Sequence, residues 1–209
     1  VGASISHSTF SQGTYAHWNQ SELVLNNGIV TRTIQLPKGT NSIGTTSYRP
    51  IRGEYNYFEN TNPEFSFELN QKRYTGADLW TLSEISPVSD TKQGSGVIIK
   101  LLSADKLVEV GLQYLLYPKL PIIRKNITVK NLSNNTLTLE SIDVEKLSVT
   151  PYYATTYSWI CHDYGRRRSL GPYNGDMQDA LVTILNSDLQ QVIVIGNEDS
   201  GILNHTSAF

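Results

Sequence analysis

The chain has 209 residues, a length at which folding buries roughly 70% of the unfolded surface and one sizeable core forms without disulfides or metals. Its 17 basic and 19 acidic residues give a net charge of −2, which excludes the basic surplus typical of nucleic-acid binding. A single cysteine excludes an internal disulfide, and no Cys/His pattern has zinc-finger spacing. We therefore expect no metal, no cofactor and no nucleic-acid partner.

The sequence also predicts no membrane span. The longest apolar stretches, such as residues 112–120, are far shorter than the roughly 20 residues that a spanning helix needs. The first ten residues, VGASISHSTF, lack the apolar segment led by Lys or Arg that marks a signal peptide. We expect that any signal peptide was removed or was never present, so this segment does not indicate the cellular location of the protein.

The first half of the chain predicts two β-hairpins, since apolar residues alternate at period two and no segment keeps a helical period over three turns. Residues 22–36 are interrupted at 26–28 by Asn-Asn-Gly, which tolerates the positive φ of a tight turn. Further on, EFSFELN and KRYTG flank a polar turn at residues 70–71. The apolar residues predicted to share one face there are Phe65, Phe67 and Leu69.

Four longer strands are predicted after residue 97, in VIIKLL, LVEVGLQYLLY, PIIRKNITVKNL and TLTLESIDVEKLSV. They are separated by SADK, by a corner with two prolines and by SNN, which are turn signals. This order predicts a meander whose third and fourth strands alternate between core and solvent. The residues predicted to face the core are Ile127, Val129, Leu132, Leu137, Leu139, Ile142 and Val144.

Residues 152–178 leave the alternating pattern and combine large aromatics, arginines and glycine or proline. We interpret this segment as a long ordered loop, because loops of this length in a compact domain are usually functional or disordered and aromatics oppose disorder. Two strands, ALVTILN and QQVIVIGN, follow it. With no repeat or linker, the chain predicts one all-β domain over residues 1–209, made of two large antiparallel sheets packed face to face.

Motifs for catalysis are absent from the sequence. The four histidines do not occur in pairs at i, i+2 or i, i+4, and the sequence does not show which of the scattered carboxylates would pair as a glycosidase requires. The chain has no G-x-S-x-G elbow, no phosphate-binding P-loop and no H-E-x-x-H helix. We therefore assign no catalytic residue.

The aromatic segment is the strongest candidate for binding. Aromatic rings stack on the apolar faces of sugars, while Asn, Asp and Arg bind the hydroxyl groups. The same rings also suit core packing or contact with another domain, and all three roles stay open. The candidate carbohydrate or interdomain contact residues are Tyr157, Trp159, His162, Asp163, Tyr164, Arg166, Tyr173 and Asp176.

Three segments together resemble a known family. ELVLNNGIVTRTIQL, DYGRRRSLGPYNGD and VIVIGNEDSGILNHT resemble the N-terminal β domain of glycoside hydrolase family 36 and related α-galactosidase-like enzymes. The resemblance implies a β-supersandwich of the galactose mutarotase-like type, placed before a (β/α)8 barrel that carries both catalytic aspartates. This chain does not show the strand and helix alternation over about 250 residues that such a barrel requires.

The resemblance thus implies a non-catalytic accessory domain of a secreted or periplasmic hydrolase. Its expected partners are a galactose-containing or related oligosaccharide and the C-terminal (β/α)8 catalytic domain of the same polypeptide. One alternative is a free-standing mutarotase-like enzyme, whose histidine acid and glutamate base would be His162 with Glu54 or Glu198. Another is a lectin-like module that binds sugar by itself.

Overall fold

The computed structural model describes residues 15–53, 55–58, 60–90, 94–148, 155–162, 167–172, 181–186, 188–196 and 198. Within these ranges the chain forms antiparallel β-sheets and no helix, which confirms the all-β prediction. The chain divides into two compact units, Val1–Val149 and Thr150–Phe209, and each is described by itself. The count of one domain stays a prediction.

The described residues of the first unit form three antiparallel sheets. Its strands are β1 (Ala16–Trp18), β2 (Glu22–Asn26), β3 (Val30–Gln35), β4 (Gly44–Pro50), β5 (Asn62–Pro63), β6 (Ser66–Leu69), β7 (Lys72–Thr75), β8 (Trp80–Asp90), β9 (Gly94–Ser103), β10 (Val108–Leu116), β11 (Ile123–Asn131) and β12 (Leu139–Asp143). The strand orders are β1-β2-β3-β4-β5, β11-β10-β9-β8 and β12-β6-β7.

The hairpin predicted at residues 22–36 is confirmed as β2 and β3. Gly28 adopts a φ of 84°, and its amide donates to the side-chain oxygen of Asn26 at 2.7 Å. The side chain of Asn27 donates to the carbonyl oxygens of Tyr117 and Leu120 at 2.8 and 2.7 Å. The turn therefore also anchors the connection between β10 and β11.

The second predicted hairpin is confirmed as β6 and β7. Asn70 and Gln71 form its two-residue turn, and both have positive φ, 47° and 63°, as the type I′ turn requires. Phe67 stacks on Tyr74 across the pair, with ring centroids 5.2 Å apart. Phe65 and Leu69 are also buried, as predicted.

The core of the first unit lies along the inner faces of β2, β3, β6, β9 and β10. Strand β10 shows why, since its alternating residues are fully buried in phase with those of its neighbour β9. The aromatic part of this core joins Phe65 to Trp80, with ring centroids 5.4 Å apart. The largest fully buried side chains include Tyr57, Tyr114, Phe65, Phe67, Leu23, Leu25 and Ile34.

The predicted meander is correct for three strands and wrong for the fourth. Strand β12 pairs with β6 instead of β11, and every residue of β12 is exposed. Ile127, Val129 and Leu137 pack on the core as predicted. Four other residues predicted to face the core are instead 39% to 48% exposed: Leu132, Leu139, Ile142 and Val144. Leu132 directly follows β11, while the other three lie on the exposed strand β12 or directly after it.

Strand β8 was not predicted, although it pairs with β9 over its whole length. Pro87 and the polar residues around it hide the alternation, and the register shifts between Leu82 and Glu84. Proline is tolerated here because β8 is an edge strand, where one side of the backbone needs no partner.

In the second unit, the described residues form one four-stranded sheet, in the order β14-β13-β15-β16. Its strands are β13 (Thr155–His162), β14 (Arg167–Pro172), β15 (Leu181–Asn186) and β16 (Gln191–Gly196). The last two strands were predicted and are confirmed. The long loop predicted over residues 152–178 is wrong where β13 and β14 pair with each other, because the β-branched and aromatic residues of TTYSWICH are also strong strand formers.

Replacing Gln71 with glycine is expected to stabilise the protein by about 1 kcal/mol, because a side chain in the left-handed region costs about that much. The matched variant Asn70→Gly should not stabilise the protein, because it also removes a hydrogen bond. The Asn70 side-chain oxygen accepts this bond from the backbone amide of Thr138 at 2.8 Å. Urea unfolding of both variants measures the difference. Equal effects of the two substitutions would contradict this account of the turn.

Candidate functional site

The densest group of ionisable side chains described by the structure is a buried ion network in the first unit. Arg32 lies on β3 in phase with the buried residues Val30 and Ile34, so its side chain enters the interior. Its Nε donates to the Thr45 hydroxyl at 2.8 Å, and its Nη2 lies 2.8 Å from a carboxylate oxygen of Glu64. The two side chains of the ion pair are 4% and 0% exposed.

Glu64 occupies the short connection between β5 and β6, and its carboxylate is fully enclosed. It accepts hydrogen bonds from the hydroxyl groups of Thr45 and Tyr114. The Lys125 ammonium lies 2.9 Å from the same carboxylate and also donates to the Glu64 backbone carbonyl. The buried charge is thus surrounded by donors, the condition under which a buried carboxylate is tolerated.

Lys125 and Tyr114 are cross-strand partners on β11 and β10. Tyr114 lies on the buried face of β10. Lys125 lies on the same face of β11 as Ile127, which packs on the core. The cationic groups of Arg32 and Lys125 lie 5.4 and 5.6 Å from the centroid of the Tyr114 ring, within the range of cation–π attraction. One phenol therefore contacts both cations and one anion.

Glu145 completes the network from the segment that follows β12. Its carboxylate accepts two hydrogen bonds from Arg32, at 2.8 and 2.9 Å, and lies 3.0 Å from the Lys125 ammonium. Its side chain is 22% exposed, so it is the member of the network that reaches solvent. With two cations and two carboxylates, the network is neutral overall.

The environment shifts the pKa values in the direction that fixes these charges. Burial would raise the pKa of Glu64, but Arg32 and Lys125, with the two hydroxyl donors, lower it from 4.5 to about 2. Burial would lower the pKa of Arg32, yet the attraction of Glu145 and Glu64 raises it well above its usual value. Burial, with the nearby Glu64 charge, raises the pKa of the Tyr114 phenol. Glu64 and Arg32 therefore stay ionised, with the Tyr114 phenol neutral, over the ordinary pH range.

Sequence reasoning missed this network, although part of the signal was present. Arg32 and Lys125 occur in phase with apolar residues of alternating strands, and a charge at such a position indicates a buried partner. Glu64 gives no such signal, because it alternates with Phe65 and so falls in the polar phase. Glu145 follows β12 without any pattern.

The candidate contact residues predicted from the sequence belong to the second unit. Tyr157, Trp159 and His162 lie on β13, whose register with β14 runs from Tyr157 opposite Pro172 to His162 opposite Arg167. The other predicted contact residues lie outside the described residues: Asp163, Tyr164, Arg166, Tyr173 and Asp176. The set as a whole stays a prediction.

The residues considered for a mutarotase-like pair are likewise not tested. His162 lies on β13, Glu198 is an exposed residue after β16, and Glu54 lies outside the described residues. In the part of the chain that the structure describes, no group of three or more His, Cys, Asp or Glu residues could hold a metal ion.

One open cleft lies beside the β2–β3 turn. It has a volume of about 320 Å³ and is lined by Gly28, Ile29, Pro50, Ile51 and Arg52. Its lining has a single charged side chain and no carboxylate or histidine, so it lacks the convergent groups of an acid–base site. Among the described residues, no helix has the length and apolar character needed to cross a membrane.

Comparison with known proteins found no match among protein-family models, curated proteins or solved structures.

Replacing Glu64 with glutamine is expected to lower the free energy of unfolding at neutral pH by about 3 to 5 kcal/mol, since two buried cations lose a counter-charge. Because folding lowers the pKa of Glu64 from 4.5 to about 2, its contribution is complete above pH 4.5 and is lost as pH falls towards 2. The variant should lack this part of the acid sensitivity. Urea unfolding over a pH series measures both effects.

Glu84→Gln is the matched control for Glu64→Gln. Glu84 lies 2.7 Å from Lys100, but both side chains are more than 40% exposed. Exposed pairs of this kind contribute little to stability, so the unfolding midpoint should hardly change. Comparable losses in the two variants would show that burial of the network is not the source of its effect.

Replacing Tyr114 with phenylalanine removes one hydroxyl donor from the Glu64 carboxylate. We expect a loss of about 1 to 3 kcal/mol and a higher pKa for Glu64, so acid unfolding should begin at higher pH. The control Tyr74→Phe removes a hydroxyl that contacts Asp105 at 3.5 Å and Lys72, neither of which touches Glu64, and should leave the acid transition of Glu64 in place. An unchanged acid midpoint in Tyr114→Phe would contradict the assigned hydrogen bond.

Proposed function

We propose that this chain is a non-catalytic N-terminal accessory domain of a secreted or periplasmic α-galactosidase-like glycoside hydrolase. In this proposal the domain contacts carbohydrate or packs on a (β/α)8 barrel of the same polypeptide, and the barrel performs the hydrolysis. The antiparallel sheets without helix in the described residues support a β domain of this kind. A galactose mutarotase-like supersandwich is the finer fold that we propose for it.

The observation that carries the non-catalytic role is the state of Glu64. A glycosidase needs two carboxyl groups across a sugar, one of them an acid with a raised pKa. The pKa of Glu64 is lowered to about 2, and its carboxylate is closed off by Arg32, Lys125 and two hydroxyl groups. Glu145 is held by the same two cations. Glu64 is therefore poorly suited to transfer protons to a substrate, and both carboxylates are held in ion pairs within the unit.

The proposed contact surface is the aromatic segment that begins on β13. Strand β13 is an inner strand of its sheet: Tyr157 is paired with both β14 and β15, while Trp159 and His162 are paired with β14. Rigid strands position binding side chains more precisely than free loops do. This supports the segment as a surface for a sugar or for a neighbouring domain.

The chain by itself is expected to hydrolyse no 4-nitrophenyl α-galactoside and to leave the interconversion of galactose anomers at its uncatalysed rate, measured by NMR. The complete reading frame that encodes the chain is expected to continue into alternating strands and helices and to yield a hydrolytically active product. Faster anomer interconversion that is lost in His162→Ala would favour the mutarotase-like enzyme instead.

Calorimetric titration of the chain with galactose-containing oligosaccharides distinguishes the accessory domain from the lectin-like module. A domain that works with a barrel should bind these sugars weakly when alone, because the barrel supplies most of the site. Tight binding that is lost in Trp159→Ala, with a reading frame that lacks a barrel, would favour the lectin-like module. The variant's melting temperature shows whether the loss comes from the contact or from unfolding.

A further inference from the structure

The sheets described here have eight edge strands, and seven of them carry a feature that prevents pairing with another strand. Native proteins protect strand edges by keeping them short, by placing charges or proline on them, or by bulges. In the five-stranded sheet, β1 has three residues, and β5 has two and ends in Pro63. Both of these edges are too short to template a new strand.

The edges of the other two sheets in the first unit carry charges or irregularities. Strand β11 contains Arg124 and Lys130, and β7 begins with Lys72 and Arg73. The register shifts within β8 and within β12 at their pairing with the neighbouring strand. In the second unit, β14 begins with two arginines and ends in proline.

Strand β16 is the exception. Its sequence, QVIVIG, has no charge and no proline, and its register with β15 runs without a shift from Gln191 to Gly196. Among the described residues it pairs with β15 alone. Val192 and Val194 are 53% and 54% exposed, while Ile193 and Ile195 are half-buried. The strand thus carries apolar residues on both faces, a pattern typical of strands in the interior of a sheet.

We propose that the outer edge of β16 pairs with β16 of a second copy of this chain, in antiparallel orientation. An antiparallel edge offers both N–H donors and C=O acceptors, so two identical edges satisfy each other about a two-fold axis. An axis normal to the sheet keeps the exposed valines of both copies on one face, where β-branched residues form favourable cross-strand pairs. The two four-stranded sheets then form one continuous sheet.

Charge selects a second copy over the other described edges as the occupant. Pairing β16 with β7, β11 or β14 would bring the basic residues of those strands against an uncharged apolar strand. Pairing β16 with itself places no charge and no proline in the interface. Self-pairing also covers the one described edge that has no protective feature, and it covers this edge in both copies.

Sedimentation equilibrium of the full chain over a concentration series tests the proposal. The chain is expected to form a dimer, and Val194→Lys is expected to raise the dissociation constant by about tenfold or more, since it places like charges at the paired edge. Val194→Thr keeps the branched, neutral side chain and should retain the dimer. Leu139→Lys, at another exposed apolar residue, which is 48% exposed, should retain it as well.

Hydrogen exchange gives a second measurement that does not depend on a variant. The backbone amides of residues 191–196 that point away from β15 should gain protection in the wild-type chain as concentration rises, and this gain should be absent in Val194→Lys. The proposal is overturned by a chain that stays monomeric at all concentrations, by a dimer that Val194→Lys leaves intact, or by equal dissociation in Val194→Lys and Leu139→Lys. Full protection of these amides in the dilute monomer would also overturn it.

Discussion

The first unit depends on the contact between Arg32 and Glu64, a buried ion pair that holds several sheets together. Removing two charges from water is costly, and their attraction offsets that cost only when the remaining hydrogen-bonding groups also find partners. Thr45, Tyr114 and Lys125 provide them from β4, β10 and β11. The network therefore ties the five-stranded sheet to the four-stranded sheet, and also fixes the connection into β6 and the segment after β12.

The same physics separates a structural network from an active site. Catalytic carboxylates have environments that push their pKa values apart, so that one holds a proton at working pH. Here both carboxylates contact the same two cations, and the pKa of Glu64 is lowered to about 2. Such an arrangement gives the unit a fixed interior and leaves recognition to another surface, in keeping with the accessory role that we propose.

Turn chemistry made the hairpins predictable, whereas sheet partners were not. Asn-Asn-Gly and Asn-Gln between alternating segments specify tight turns locally, and both hairpins are present. No local signal specifies that β12 pairs with β6, because the partners Leu139 and Leu69 are 70 residues apart and Asp143 and Ser66 are 77 apart. Likewise, Arg32 and Lys125 showed their burial by falling in the apolar phase of a strand, while Glu64 became a site residue only through tertiary packing.

Charged residues make up 17% of the chain, against about 25% in typical soluble domains, so their positions are informative. Some form the buried network, and others lie on strand edges, where they oppose pairing with foreign strands. These two uses have opposite consequences, since one set joins sheets within the chain and the other keeps sheets apart. Strand β16 has no charged residue, so its backbone N–H and C=O groups determine what can bind at its edge. In the proposed dimer, these groups pair with a second uncharged strand.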